Sequence, residues 1–216
     1  MPTYTSGAIN EVLIGTGVLY VADRTTSSLA FPGDNSGAWE AVDAGKWRDI
    51  GYSEDGWTLE MDRTFEDILV AEEVDPIKTI KTAQEARLMG ELSQASLKNL
   101  SIAMGQADGH VSENDSNFAA GYDVVIAPDT NEHAELAGLL ITEGPAGADR
   151  HIQMPRMVSV GAFSMSHAKA PQKVVIATEF KLLVPDATFS VGNAGGKFQL
   201  FRIVDNTNDT TTFDVN

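Results

Sequence analysis

DIGYSEDGWTLEMD, residues Asp49–Asp62, is the stretch whose reading decides the fold. Trp57, Leu59 and Met61 alternate with Thr58, Glu60 and Asp62, the period of a half-buried strand. Ahead of them SEDG (Ser53–Gly56) reads as a turn, because Ser, Glu and Asp favour bends and Gly56 tolerates positive φ. The stretch is therefore expected to be a hairpin with Glu54 and Asp55 at its tip. Similar strand signals recur from Val18 to Ala22, at Trp47, from Glu132 to Thr142, Ile152 to Ser166, Val174 to Val184 and Phe198 to Val204. Short strand signals at this spacing imply a mainly β fold: two packed antiparallel sheets, a sandwich or barrel, with one flanking helix.

The helix is expected near Ser93–Met104. Leu97, Leu100 and Met104 share a face, Ser93 is placed to cap the start, and Gly105 to end it. The segment before it, AQEARLMGEL, has helical composition, yet Ala86, Leu88 and Leu92 also fit one face of a strand. Residues 23–46 are rich in Gly, Ser, Thr and Pro and too long for a simple connector. FEDILVAEEVDPIKTIKT (65–82) is β-rich and broken at Asp75-Pro76. It carries apolar Ile68, Val70, Val74, Ile77 and Ile80, which suit either a core strand pair or a hairpin, 65–81, projecting from a small sandwich. Residues 1–204 are taken as one domain and 205–216 as a flexible acidic tail.

The 216-residue chain has 43% hydrophobic residues, enough for a core, and no Cys. No apolar run reaches membrane-spanning length, and the N-terminus lacks the basic and apolar regions of a signal peptide. Thirty-one acids against 15 bases give a net charge of −16. Between Lys98 and Arg150 every charged side chain is acidic. Phosphate recognition needs clustered Lys and Arg, so a nucleic-acid binder is disfavoured. Such acidity serves solubility, or a surface that must repel a polyanion.

Catalytic and ligand motifs are incomplete. GTGVLY has Gly15 and Gly17 but no third Gly and no following helix. His133-Ala134-Glu135 opens a zinc-deaminase pattern whose Cys pair is missing. His110, His133, His151 and His167 lack ligand spacing. DNTND, with Asp205 and Asp209, lacks the Gly and Glu of a calcium loop. No Gly-x-Ser-x-Gly elbow occurs. The expectation is a non-enzyme with no metal and no cofactor. Trp39, Trp47 and Trp57 fit a sugar-binding face or, more simply, core positions.

The order of segments resembles the major tail tube proteins of long, non-contractile-tailed bacteriophages. VLIGTGVLYVAD is similar to that family's opening strand and DIGYSEDGWTLEMD to its acidic-turn hairpin. DILVAEEVDPIKTIKT resembles the long extended hairpin, and ARLMGELSQASLKNLSIAMG the strand-into-helix unit, with a strand to about Leu92 and the helix from Ser93. The segment from Ile152 to Asp186 resembles the paired late strands, and FQLFRIVD the last one. Against the family's pattern loop 23–46 is long, and the tail after Asp205 matches no motif.

The resemblance implies hexameric rings that stack into a hollow tube conducting DNA, in a virion tail assembled in the host bacterial cytoplasm. The partners implied are further copies of the chain and other tail proteins: tape measure, terminator and distal tail. DNA would pass through the lumen without specific binding, and no membrane is involved. The hairpin residues Ile68, Val70, Val74, Ile77 and Ile80 become inter-subunit candidates. Glu54, Asp55, Glu60 and Asp62 become channel-lining candidates, because Glu60 and Asp62 oppose the Leu59–Met61 face. The same motifs fit another ring-forming tail protein, such as a terminator or baseplate hub. Outside the resemblance, a monomeric β-sandwich binding module, for carbohydrate or another surface ligand, and an acidic hydrolase are the alternatives.

Overall fold

The computed structural model describes residues 17–24, 31, 45–70, 75–106, 111–112, 122–127, 133–143, 149–165, 174–185 and 200–205. Most of loop 23–46, Trp39, Val74 and the tail beyond Asp205 lie outside the described residues. The strands are β1 Val18–Asp23, β2 Arg48–Asp49, β3 Ser53–Ile68, β4 Lys78–Leu92, β5 Val111–Ser112, β6 Val124–Val125, β7 Leu136–Glu143, β8 Asp149–Ser159, β9 Ile176–Leu182 and β10 Arg202–Asp205. The one helix among them, α1, is Leu97–Ala103. The mainly β reading with a single flanking helix holds. Its strands form an eight-stranded sheet, ordered β2-β1-β7-β8-β9-β4-β3 with β10 beside β8, and a small β5-β6 pair. The sheet is antiparallel and its end strands do not meet, so it is not closed into a barrel.

β7 lies inside the sheet, between β1 and β8. Its first six residues are all buried, because both of its faces are covered. Leu136 and Leu140 join Leu19, Leu88, Met154, Met157, Phe180 and the helix residue Ile102 in the main core. Ala137, Leu139 and Ile141 face the other way, toward Ala22, Phe31 and Trp47. β8 keeps register with β7 only through a bulge: Leu136 pairs with Met157 and Gly138 with Met154, so β8 spends one extra residue. Pro155 sits in that interval, where the missing N–H costs no ladder bond. Beyond the bulge β8 changes partner on its outer edge, from β10 at Arg150–Gln153 to β9 at Met157–Ser159.

The SEDG stretch is not a hairpin turn. β3 runs straight through it, and β2 pairs with β1 instead of β3. Register passes from Ser53–Leu92 to Trp57–Gly90, four steps on β3 against two on β4. Gly56 does adopt positive φ, 84°, but as part of this bulge. The change of direction comes earlier, at Gly51 with φ 85°, whose N–H donates to Asp49 Oδ1 at 2.7 Å. Opposite the bulge, Trp57 lies over Gly90 so closely that a Cβ there would stand 2.5 Å from Trp57 Cε3. The missing side chain of Gly90 makes room for the indole.

β4 ends at Leu92, as expected, but the helix starts later than Ser93. Ser96 is the cap, its side chain accepting from the Asn99 N–H. Gly105, at φ 81°, ends the helix as expected. The buried face is Asn99, Ser101, Ile102 and Ala103, with Leu97, Leu100 and Met104 only half-buried. The rotation follows from Asn99, whose Nδ2 donates to the Ile50 carbonyl at 2.8 Å and the Gln94 carbonyl at 2.9 Å. Its Oδ1 accepts from Arg48 Nη1 at 2.8 Å. A buried amide so satisfied fixes the helix against the β2–β3 link. Strand bounds shift modestly elsewhere. β7 begins at Leu136 after the predicted Glu132, and β8 spans 149–159 against the predicted 152–166. Asp205, assigned to the tail, is the last residue of β10.

Asn99→Leu removes the donor to the Ile50 carbonyl and should lower the unfolding free energy by about 2–3 kcal/mol. Urea denaturation of the two proteins measures it, and a variant as stable as the parent would contradict this role.

Candidate assembly surface

β3 and β4 outrun the rest of the sheet. β9 pairs with β4 only from Arg87 to Leu92. β3 and β4 go on pairing with each other out to Ile68–Lys78. From Glu60 to Ile68 that is roughly 25 Å of ribbon at strand rise. Residues 60–69 and 75–84 are exposed throughout. Of the hairpin expected at 65–81, residues 65–68 and 78–81 lie in this ribbon and 71–74 lie outside the described residues. Two strands alone are marginal in water, and this arm has no third strand among the described residues.

The register sorts its side chains into two faces. Leu59 pairs with Leu88 and Met61 with Ala86, continuing the core face of the sheet. Farther out on that face, Phe65 is 54% exposed. Ile68 and Ile80 lie on the opposite face, where Ile80 pairs with Glu66. Of the five interface candidates, Ile68, Ile77 and Ile80 are exposed, Ile77 by 57%, and Val70 is half-buried. Val74 lies outside the described residues. Sequence reasoning missed Met61 and Phe65, and also Leu69, which is 66% exposed just past the strand. Met61 continues the Leu59 alternation and so looks like core. The sequence carries no mark of where β9 stops beside them.

Glu60 and Asp62 point away from the core, opposite Arg87 and Glu85. They and the other two channel candidates, Glu54 and Asp55, are all exposed. Glu54 accepts from Ser93 Oγ at 2.9 Å. The neighbouring surface is charged too. Glu85 meets Lys181 at 3.1 Å and Arg87 at 2.7 Å, and those hydrogen bonds hold its carboxyl below the usual range. Arg87 also pairs with Glu179. A shallow concavity of about 490 Å³ opens on this face, with Asp55, Glu60, Glu91 and Glu179 around Gly90 and Ala177. Among the described residues no group of three His, Cys, Asp or Glu is placed to hold a metal ion.

The remaining titratable groups knit the frame. Glu135, from the HAE triplet, accepts from Arg24 at 2.5 Å and from Arg156, which also donates to the Val184 carbonyl at 3.2 Å. Arg156 holds the Glu135 carboxyl below its ordinary range. His133 is exposed and precedes β7, not within a strand. Asp205 binds Arg150 through two hydrogen bonds, at 2.6 and 2.9 Å, tying β10 to β8. His151 is buried, opposite Ile141 and Val204, and burial pushes its pKa down to about 4. Trp47 is 3% exposed against Phe31, ring centroids 5.3 Å apart, and Trp57 packs on the main core. No helix among the described residues is long and apolar enough to cross a membrane.

The chain matches no family model and no curated protein. Among solved structures it is similar to a chain of the anti-feeding prophage baseplate, solved by cryo-electron microscopy and 6-fold symmetrised. The TM-score is 0.42 at 8% identity, over 94% of this chain and 97% of that one.

Because the folded His151 titrates near 4 and an unfolded His near 6.5, only the unfolded chain takes up that proton between those values. Its contribution to stability is whole above pH 6.5 and is lost as pH falls to about 4, by ~3 kcal/mol. His151→Leu should flatten the fall in stability across that window, read by urea denaturation at each pH. An unchanged slope would contradict the burial account.

Proposed function

We propose that this chain is a structural subunit of a phage tail, with no enzymatic activity, that self-assembles as stacked hexameric rings into the tail tube through which DNA is ejected. One observation supports it above the others: the β3–β4 arm projects past its last supporting strand with Met61, Phe65, Ile68, Ile77 and Ile80 exposed. An apolar two-stranded arm is a liability in a free monomer and an asset where a neighbour covers it. The ordered sequence resemblance, which spans nearly the whole chain, supplies the identity of the assembly. In this reading further copies cover the arm, and tape measure, terminator and distal tail proteins are the other partners. The protein resides in the virion tail after assembly in the host cytoplasm.

The acidic face has a place in the same reading. DNA carries one charge per roughly 1.7 Å of axis, so a basic channel would hold it at many points. Glu54, Asp55, Glu60 and Asp62 would line the lumen and keep DNA moving; screening over roughly 8 Å restricts the effect to acids near the wall. Of the aromatic platform of the rival carbohydrate module, Trp47 is buried and Trp57 packs on the core, while Trp39 lies outside the described residues.

Negative-stain imaging and sedimentation of the pure chain should show rings and tubes; monomers alone, at any concentration, would overturn the reading. Phe65→Asp with Ile68→Asp should abolish tubes and leave the monomer folded by circular dichroism. Loss of the monomer fold would instead make the arm part of the core.

A further inference from the structure

The arm is not symmetric in charge. Over the paired stretch Glu60–Ile68, β3 carries Glu60, Asp62, Glu66 and Asp67 against Arg63, a net −3. Over Lys78–Ala86, the stretch that β9 leaves uncovered, β4 carries Lys78 and Lys81 against Glu85, a net +1. Each strand of a two-stranded ribbon borders one edge, so one edge is acidic and the other basic. Glu60, Asp62, Glu66, Lys78 and Lys81 are in no ion pair among the described residues. Both edges are also open. No described strand pairs with the outer side of β3, and β4 is uncovered from Lys78 to Ala86, where β9 has ended. Each edge therefore presents backbone N–H and C=O groups that a further strand can satisfy.

We propose that the acidic β3 edge of one arm pairs with the basic β4 edge of the arm on a second copy of this chain. Arms pointing the same way set β3 of one copy antiparallel to β4 of the next, the pairing the sheet already uses. The contact joins two different edges, so it is heterologous: it repeats from copy to copy, and it makes a ring where the rotation between copies closes. It covers the unpaired backbone, gives the ribbon its missing third strand, leaves the Glu60–Asp62 face open, and leaves the apolar Phe65 face for further copies to cover. The proposal rests on the assembly reading above and assigns the edges that meet.

Salt is a poor probe, because screening also relieves the repulsion between chains of net charge −16. Charge reversal separates the two effects. Lys78→Glu with Lys81→Glu makes the chain more acidic; Asp62→Lys with Glu66→Lys makes it less acidic. General repulsion would weaken assembly in the first and strengthen it in the second. The proposal requires both to raise the critical concentration for assembly, by about tenfold or more, since like charges then face each other along the edge. All four changes together restore opposite signs and should return assembly to near the wild-type concentration. Circular dichroism of each dissociated variant checks that the fold is intact. Assembly that follows net charge alone, or a quadruple variant no better than its parents, would overturn the edge pairing. A wild-type chain that never assembles would overturn the assembly reading itself.

Discussion

The structure turns on where β9 stops. β4 is fifteen residues long, and β9 supports only its last six, from Arg87 to Leu92. Over those six residues the sheet buries Leu88 and Leu92 beneath the helix and against Phe180. Beyond Arg87 the same two strands hold only each other. A ribbon of that length without a third strand is stabilised by little more than its own ladder and a few cross-strand pairs, each worth roughly 0.2–1 kcal/mol. The side chains that would be core in a wider sheet, Met61 and Phe65, face water. The frame behind the arm is rigid by contrast: β7 is buried on both faces, Asn99 locks the helix, and Glu135 bridges two arginines.

Charge follows the same division. Within the frame, three carboxylates are in ion pairs: Glu135 with Arg24 and Arg156, Asp205 with Arg150, Glu179 with Arg87. On the arm and beside the bulge, Asp55, Glu60 and Asp62 are exposed and in no ion pair among the described residues. Exposed ion pairs contribute little to stability, so nothing in the fold of one copy demands acids there. In the proposed assembly their use lies outside the monomer, toward neighbouring copies and toward DNA.

Much of the fold was legible. Alternation identified the late strands, Gly105 marked the helix end, and the division of Glu60 and Asp62 from Leu59 and Met61 gave their opposite faces correctly. The errors have physical causes. SEDG has turn chemistry, yet Gly56 uses its positive φ to open a bulge, because the bulge seats Trp57 over Gly90. Leu97, Leu100 and Met104 make the more apolar helical stripe, yet the buried amide of Asn99 turns the helix away from it. The β5-β6 pair has two residues per strand and leaves no periodicity to read. The extent of the arm was not legible, since the length of a supporting strand is a fact about partners distant in sequence.

Amide hydrogen exchange, compared between free chain and assembled particles, tests the central claim most directly. Arm amides from Glu60 to Ile68 and Lys78 to Ala86 should exchange rapidly in the free chain, while those of β7 and β8 stay protected. On assembly the arm should gain protection and the frame should change little. Arm amides as well protected in the free monomer as those of β7 would contradict the account, for the arm would then be stable without a neighbour.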